Sequence, residues 1–159
     1  MRKNAFTEDL AMSRKLSREL VVHMLYAHDV SGADAETLLN NIQDEEYFKS
    51  LANEARVYSV PPAEAQEEYV TELIRGVLAH VPELDSYIEK YAKGWNVGRI
   101  SRVTKAILRL SMYEVLYLSI PVGASVNEAL ELARRYDSEE ASSFVNGVMG
   151  AFVKQELPQ

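Results

Sequence analysis

Arg14, Lys15 and Arg18 lie close together near the start of the chain, and steps of four from Arg14 and Arg18 lead on to Val22 and Tyr26. On a helix, at about 100° per residue, Leu16, Leu20, Met24 and Ala27 share one face and the three cations stand almost opposite. The wheel therefore predicts cations turned to solvent, with a tyrosine ring one or two turns beyond them. Cations for phosphates beside a ring for base stacking are the chemistry of single-stranded RNA binding. The same spacing describes an ordinary amphipathic helix whose tyrosine packs at the core edge, and the stripe alone leaves both readings open.

A second basic group falls in the helix predicted from Ile100. Ile100, Val103, Ile107, Leu110 and Leu118 form its apolar stripe, and Arg102, Lys105 and Arg109 lie together on the other side. Glu114 interrupts the apolar stripe, where an unpaired carboxylate is costly, so it requires hydrogen-bond partners or a raised pKa. We read Glu114 as structural, because a catalytic carboxylate wants a second titratable group at defined spacing.

Covalent and metal chemistry find little support. His23, His28 and His80 form neither an H-E-x-x-H pair nor another ligand spacing, so no metal and no cofactor is expected. There is no cysteine to serve as a thiolate ligand or nucleophile, and no glycine-rich phosphate loop or Gly-x-Ser-x-Gly elbow. The chain reads as a binding protein and not as an enzyme.

The elements that must position these residues are helices. Long stretches rich in Ala, Leu, Glu, Lys and Arg are separated by most of the seven glycines and five prolines, and no long alternation of apolar and polar residues suggests a strand. Helices are predicted over about 13–30, 33–42, 45–58, 63–79, from near Pro82 to Lys93-Gly94, and over 100–119. Ser125-Val126-Asn127-Glu128 has the form of a capping box opening a helix to Tyr136, and a last helix starts at Asp137 or Ser138 and continues to about Gln155. Asn146-Gly147 within it would ordinarily suggest a turn. The helical spacing of Phe144, Val145, Val148, Phe152 and Val153 favours a continuous helix in which Gly147 admits a neighbouring helix and Asn146 satisfies polar groups there.

With 159 residues and 47% hydrophobic content, one well-buried core is expected, and thus one all-α domain over residues 13–156. Residues 1–12 show little pattern and are expected to form a loose extension; Val60-Pro61-Pro62 is the clearest break, placing a subdomain joint near 59–62. No signal-peptide or membrane-spanning stretch is seen, which predicts a cytoplasmic protein. The net charge of -7 argues weakly against nucleic acid, but it is unevenly spread. Residues 1–28 carry five Lys/Arg against three Asp/Glu, 29–89 three against fourteen, 90–115 six against one, and 116–159 three against six. Two positive islands flank an acidic middle; they fit either a basic binding surface or solvated helix faces of mixed charge.

The C-terminal half carries, in order, Ile107-Leu108-Arg109-Leu110, Tyr113-Glu114, Ile120-Pro121, Val126-Asn127-Glu128-Ala129 with Leu130-Glu131-Leu132-Ala133, and Phe144-Val145-Asn146-Gly147-Val148. This ordered set, with Arg18-Glu19 and Leu25-Tyr26 in the first helix, resembles the NusB family of transcription antitermination factors over roughly residues 13–153. The resemblance implies two small helical subdomains packed into one domain of about seven or eight helices. It implies binding of boxA-type RNA together with ribosomal protein S10, in ribosomal RNA transcription, and an indirect link to the RNA polymerase complex. RNA-binding positions of the family fall on Arg14, Lys15, Arg18, Tyr26, Glu140 and Phe144, and the S10 surface on Thr104, Lys105 and Arg109. Two departures have consequences: three basic residues replace a denser arginine cluster, and Thr104 stands where an acidic residue is expected to meet a cation on S10. The alternative is a protein-only interaction module, or a homodimer that hides the basic helix and inhibits itself. A role as the helical domain of an RNA cytosine methyltransferase is disfavoured, since no methyl-donor domain follows Gln159.

Overall fold

In the computed structural model the backbone is described for residues 2–50 and 64–158. Eight α-helices and no strand occur among the described residues. The chain divides into two units, Met1–Arg75 and Gly76–Gln159. The joint predicted near 59–62 lies outside the described residues, and the division falls within a helix, between Arg75 and Gly76.

In the first unit, α1 (Arg2–Ser31) starts well before the Ser13 that the pattern predicts, so the backbone of 2–12 is helical. It ends where Gly32 adopts a φ of 78°, left-handed backbone that suits a residue without a Cβ, and the Gly32 amide donates to the His28 carbonyl at 2.8 Å. Asp34 then caps α2 (Ala35–Gln43) by accepting from the Thr37 amide at 2.9 Å. Asp44 does the same for α3 (Glu45–Ser50) through the Tyr47 amide at 3.1 Å. The stretch predicted as helix from 51 to 58 lies outside the described residues. Leu20, Val21, Met24 and Leu25 of α1 are buried, as are Leu38, Leu39 and Phe48. So are Tyr69, Val70, Leu73 and Ile74 of α4 (Glu64–Ala79), the helix within which the division falls.

The second unit is built on α5 (Val81–Tyr91), a 3₁₀ turn at Val97–Arg99, α6 (Arg102–Tyr117), α7 (Val122–Tyr136) and α8 (Glu139–Glu156). Pro82 sits in the first turn of α5, where its missing N–H leaves no bond unmade. α6 is the central helix, buried without a break from Ala106 to Val115 and packed by α5, α7 and α8. The last turn of α4 meets it closely. A Cβ added at Gly76 would fall inside the hydroxyl end of the Tyr113 ring, so only glycine fits there.

Two predicted details of this unit change. α7 begins at Val122, directly after Pro121, whose ring holds φ at -53°, near the helical value. The helix thus starts three residues before the predicted capping box, and Ser125 faces inward instead of capping. Its hydroxyl lies 2.8 Å from that of Ser111 and donates to Glu114 Oε1 at 3.2 Å. The buried carboxylate, 1% exposed, therefore has the hydrogen-bond partner its place in an apolar stripe demands. α8 does run unbroken through Asn146-Gly147, with Ser138 as its N-cap through the Ala141 amide at 3.0 Å. What approaches Gly147 is the Trp95 indole, 4.0 Å from an added Cβ, and not a helix, while Asn146 is exposed.

Candidate nucleic-acid interface

The three cations of α1 do not share one environment. Lys15 is exposed. Arg14 is half-buried, with its guanidinium carbon 3.9 Å from the centre of the Tyr69 ring and its Nε buried without a hydrogen-bond partner. Arg18 is 8% exposed and engaged in interactions of its own, so the wheel's expectation that it faces solvent is corrected. Nearby on α1, α4 meets Ser17 and Arg14: the Ser17 hydroxyl donates to Gln66 Oε1 at 3.4 Å and Arg14 lies over the Tyr69 ring. Two turns beyond Arg18, Tyr26 is 45% exposed, and Val30, a turn further along, is exposed as well. In the first unit, then, an exposed lysine and an exposed tyrosine are the surface features of the predicted stripe. Arg14 offers an arginine pinned in place by a ring, an arrangement that fixes the guanidinium before any ligand arrives.

In the second unit, Glu140 and Phe144 sit one turn apart at the start of α8. Glu140 is exposed. Phe144 is 5% exposed and meets the Trp95 indole edge-on, with ring centres 5.1 Å apart. Between the 94–101 loop, the first turn of α6 and the start of α8 lies a cavity of about 440 Å³, reached by Trp95, Arg99, Ser101, Thr104, Asp137 and Phe144. Its polar floor is a network about one carboxylate. Asp137 Oδ2 accepts from the Ser101 hydroxyl at 2.5 Å and from the Thr104 hydroxyl at 2.7 Å. These two bonds hold the Asp137 carboxyl below the usual carboxylate range, because they favour the charged form. Ser101 at the same time caps α6 by accepting from the Thr104 amide at 3.1 Å.

The residues predicted for a partner protein are placed less openly than expected. Thr104 is 2% exposed and committed to Asp137. Arg109, predicted on a basic outer face, is 4% exposed and makes a two-pronged ion pair with Asp85 of α5, 2.8 Å at each bond. Because α6 is covered on nearly all sides, a cation on it must be paired with a neighbouring helix, which corrects the reading of Arg109 as a surface residue. Lys105 is half-buried and remains accessible in part.

Tyr69 in the first unit and Trp95, the only tryptophan, in the second are not singled out in the sequence, and Asp137 enters it only as a possible start of the last helix. Composition carries only that there is a single tryptophan; its exposure, unusual for a large aromatic side chain, is seen in the structure alone.

Among the described residues no helix is long and apolar enough to cross a membrane. Residues 15–154 match the model of the NusB family. A transcription antitermination protein NusB of Thermoanaerobacter sp. (strain X514) is 39% identical over 145 residues, 91% of this chain and 93% of its own length. That of Geobacter sulfurreducens is 38% identical over 138 residues, 86% of this chain and 91% of its own. Among solved structures, T. maritima NusB aligns with a TM-score of 0.73 at 30% identity, over 91% of this chain and 93% of that one. A chain from the crystal structure of antitermination factors NusB and NusE in complex with double-stranded RNA aligns with a TM-score of 0.68 at 28% identity, over 90% and 97%.

Proposed function

This chain belongs to the NusB family, and from that membership we propose that it is a transcription antitermination factor that binds boxA-type RNA together with ribosomal protein S10. The observation that carries this is the kinship, over nearly the whole chain, with a protein solved in complex with NusE and RNA. The protein acts by binding and not by catalysis, in the cytoplasm, and reaches the RNA polymerase complex through the assembly on the nascent transcript.

Lys15 and Arg14 hold phosphates, and Tyr26 offers its exposed ring to a base. Glu140 and the Phe144 region at the start of α8 contribute further RNA contacts. Arg18 acts indirectly, by holding α1 in position, since its side chain is already engaged. S10 docks on the side of Lys105. Thr104 supports that surface from beneath, where its hydrogen bond to the exposed Asp137 fixes the start of α6 against the start of α8.

The test is a titration of boxA-type RNA by fluorescence anisotropy, with and without S10, at several salt concentrations. Binding that tightens when S10 is added and weakens steeply with salt is the expected result. Absence of binding under both conditions overturns the proposal. A stable homodimer indifferent to RNA and S10, seen by light scattering, would replace it with the self-inhibited module.

A further inference from the structure

Most of the second basic island has no part in the contacts proposed so far. Of the six cations in residues 90–115, three, Lys90, Lys93 and Arg99, stand around Trp95. Arg99 lines the cavity on the Phe144 side of the indole. Lys90 and Lys93 line a second open cavity, of about 500 Å³, on its other side, where Gly147, Ala151 and Gln155 of α8 form the floor. The indole belongs to both.

The two cavities follow one line. Glu140, Phe144, Gly147, Ala151 and Gln155 fall within roughly 80° of arc on α8, at about 100° per residue, and span about 22 Å at 1.5 Å per residue. They form one continuous face of the helix. At Gly147 and Ala151 that face carries little or no side chain, which leaves a trough open for a flat group. Trp95 stands at the middle, one edge against Phe144 and 40% exposed.

The charges beside the trough are graded. Lys90 is partly neutralised by Glu156, at 2.9 Å, and Glu156 also accepts from the Tyr91 hydroxyl. Lys93 is exposed and shows no ion pair among the described residues. It follows α5 and precedes Gly94, whose φ of 85° turns the chain back toward Trp95. A cation next to an exposed indole over a shallow trough suits a nucleotide: the ring face takes the base and the ammonium the phosphate.

We propose that single-stranded RNA bound at the start of α8 continues along this helix past Trp95, stacking a base on the indole and setting a phosphate beside Lys93. The proposal rests on the RNA-binding function above and adds a second stretch of track to it. Trp95 is then the divider between two nucleotide positions, and the cations at 90, 93 and 99 give half of the second basic island a role on an otherwise acidic chain.

The sole tryptophan supplies the assay. Full-length protein is titrated with a short boxA-type RNA and with the same RNA lengthened step by step at each end, reading Trp95 fluorescence and affinity together. Lengthening at one end should quench the indole and tighten binding about tenfold, as one added base stack does. Lys93→Ala should remove most of that gain, weaken the longer RNA about fourfold at 0.15 M salt and make its salt slope shallower by about 0.7, while leaving the short RNA unaffected. If the short RNA binds and neither extension adds affinity or quenching, the track is wrong and the proposed function stands. If Lys93→Ala behaves as wild type with the longer RNA, the track is wrong as well. Failure of every RNA to bind overturns both.

Discussion

Lys15 and Arg18 lie three residues apart on one helix, and their replacement by alanine should have opposite consequences. Lys15 is exposed, so Lys15→Ala removes one phosphate contact and little else; a surface ion pair lost with it is worth at most about 1 kcal/mol. On a single strand each such contact contributes about 0.7 to the slope of log K against log salt. Relative to 1 M salt, that amounts to about fourfold in affinity at 0.15 M and about eightfold at 0.05 M. The melting temperature should move by no more than about 2–4 °C. Arg18 is 8% exposed and engaged by neighbours, so Arg18→Ala loses both the stem packing and the bonds of a covered guanidinium, about 2–3 kcal/mol together. For a chain of this length that lowers Tm by roughly 4–12 °C. Anisotropy titrations of boxA-type RNA from 0.05 to about 0.3 M salt, a range in which the slope is resolved, and thermal melting by circular dichroism measure the two effects. The reasoning is refuted if Lys15→Ala keeps the wild-type slope, or if Arg18→Ala melts like wild type while losing as much RNA affinity as Lys15→Ala.

Two further outcomes follow from the second unit. Gly76→Ala should destabilise even though alanine is favoured in helices by about 1 kcal/mol, because the new methyl group enters the space of Tyr113, which is held by His80 and Tyr117 at 5.6 and 5.0 Å; a net loss of about 1–3 kcal/mol should appear as a lower Tm, and an unchanged or higher Tm would contradict the packing. Asp137 has its folded pKa below the ordinary value of 3.8, so its contribution to stability is present above that value and is lost as pH falls through the lower folded one. The Tm difference between wild type and Asp137→Asn should accordingly be constant near neutral pH and shrink on acidification below about 4, and a difference independent of pH would remove the carboxylate from the account.

How far the fold could be read in the sequence depends on the range of the force involved. Helices were legible because their signals are local: Asp34, Ser101 and Ser138 cap where short-range chemistry says they should, and Gly32 ends α1 by its own backbone freedom. The start of α7 was misjudged because two local signals compete there. Ser125-Val126-Asn127-Glu128 satisfies the capping pattern, but Pro121 starts the helix first, and the serine is taken by a distant need, the buried Glu114 carboxylate. Gly147 was singled out for close packing by its neighbours in sequence, whereas the glycine that cannot tolerate a Cβ is Gly76, against a ring 37 positions further on.

The candidate site repeats this division and shows why it matters for function. A helical wheel sorts side chains by the one face it assumes to be buried, and that assumption fails for a helix covered on more than one side. α6 is such a helix, so Arg109, which the wheel sets on the outer face, turns inward to Asp85, and Thr104 to Asp137, while Glu114, which the wheel sets inside, finds Ser125. α1 shows the same effect at Arg18. Motif residues named from sequence therefore mix two kinds, those open to a partner and those that hold the surface in shape. Burial separates them, leaving Arg14, Lys15, Tyr26, Lys105 and Glu140 wholly or partly accessible. Trp95 is the converse case, a loop residue without a repeating pattern, yet exposed and seated on α8 between two cavities. Its position is set by Phe144 and Gly147, about 50 residues away in the chain, which is a distance at which periodicity carries no information.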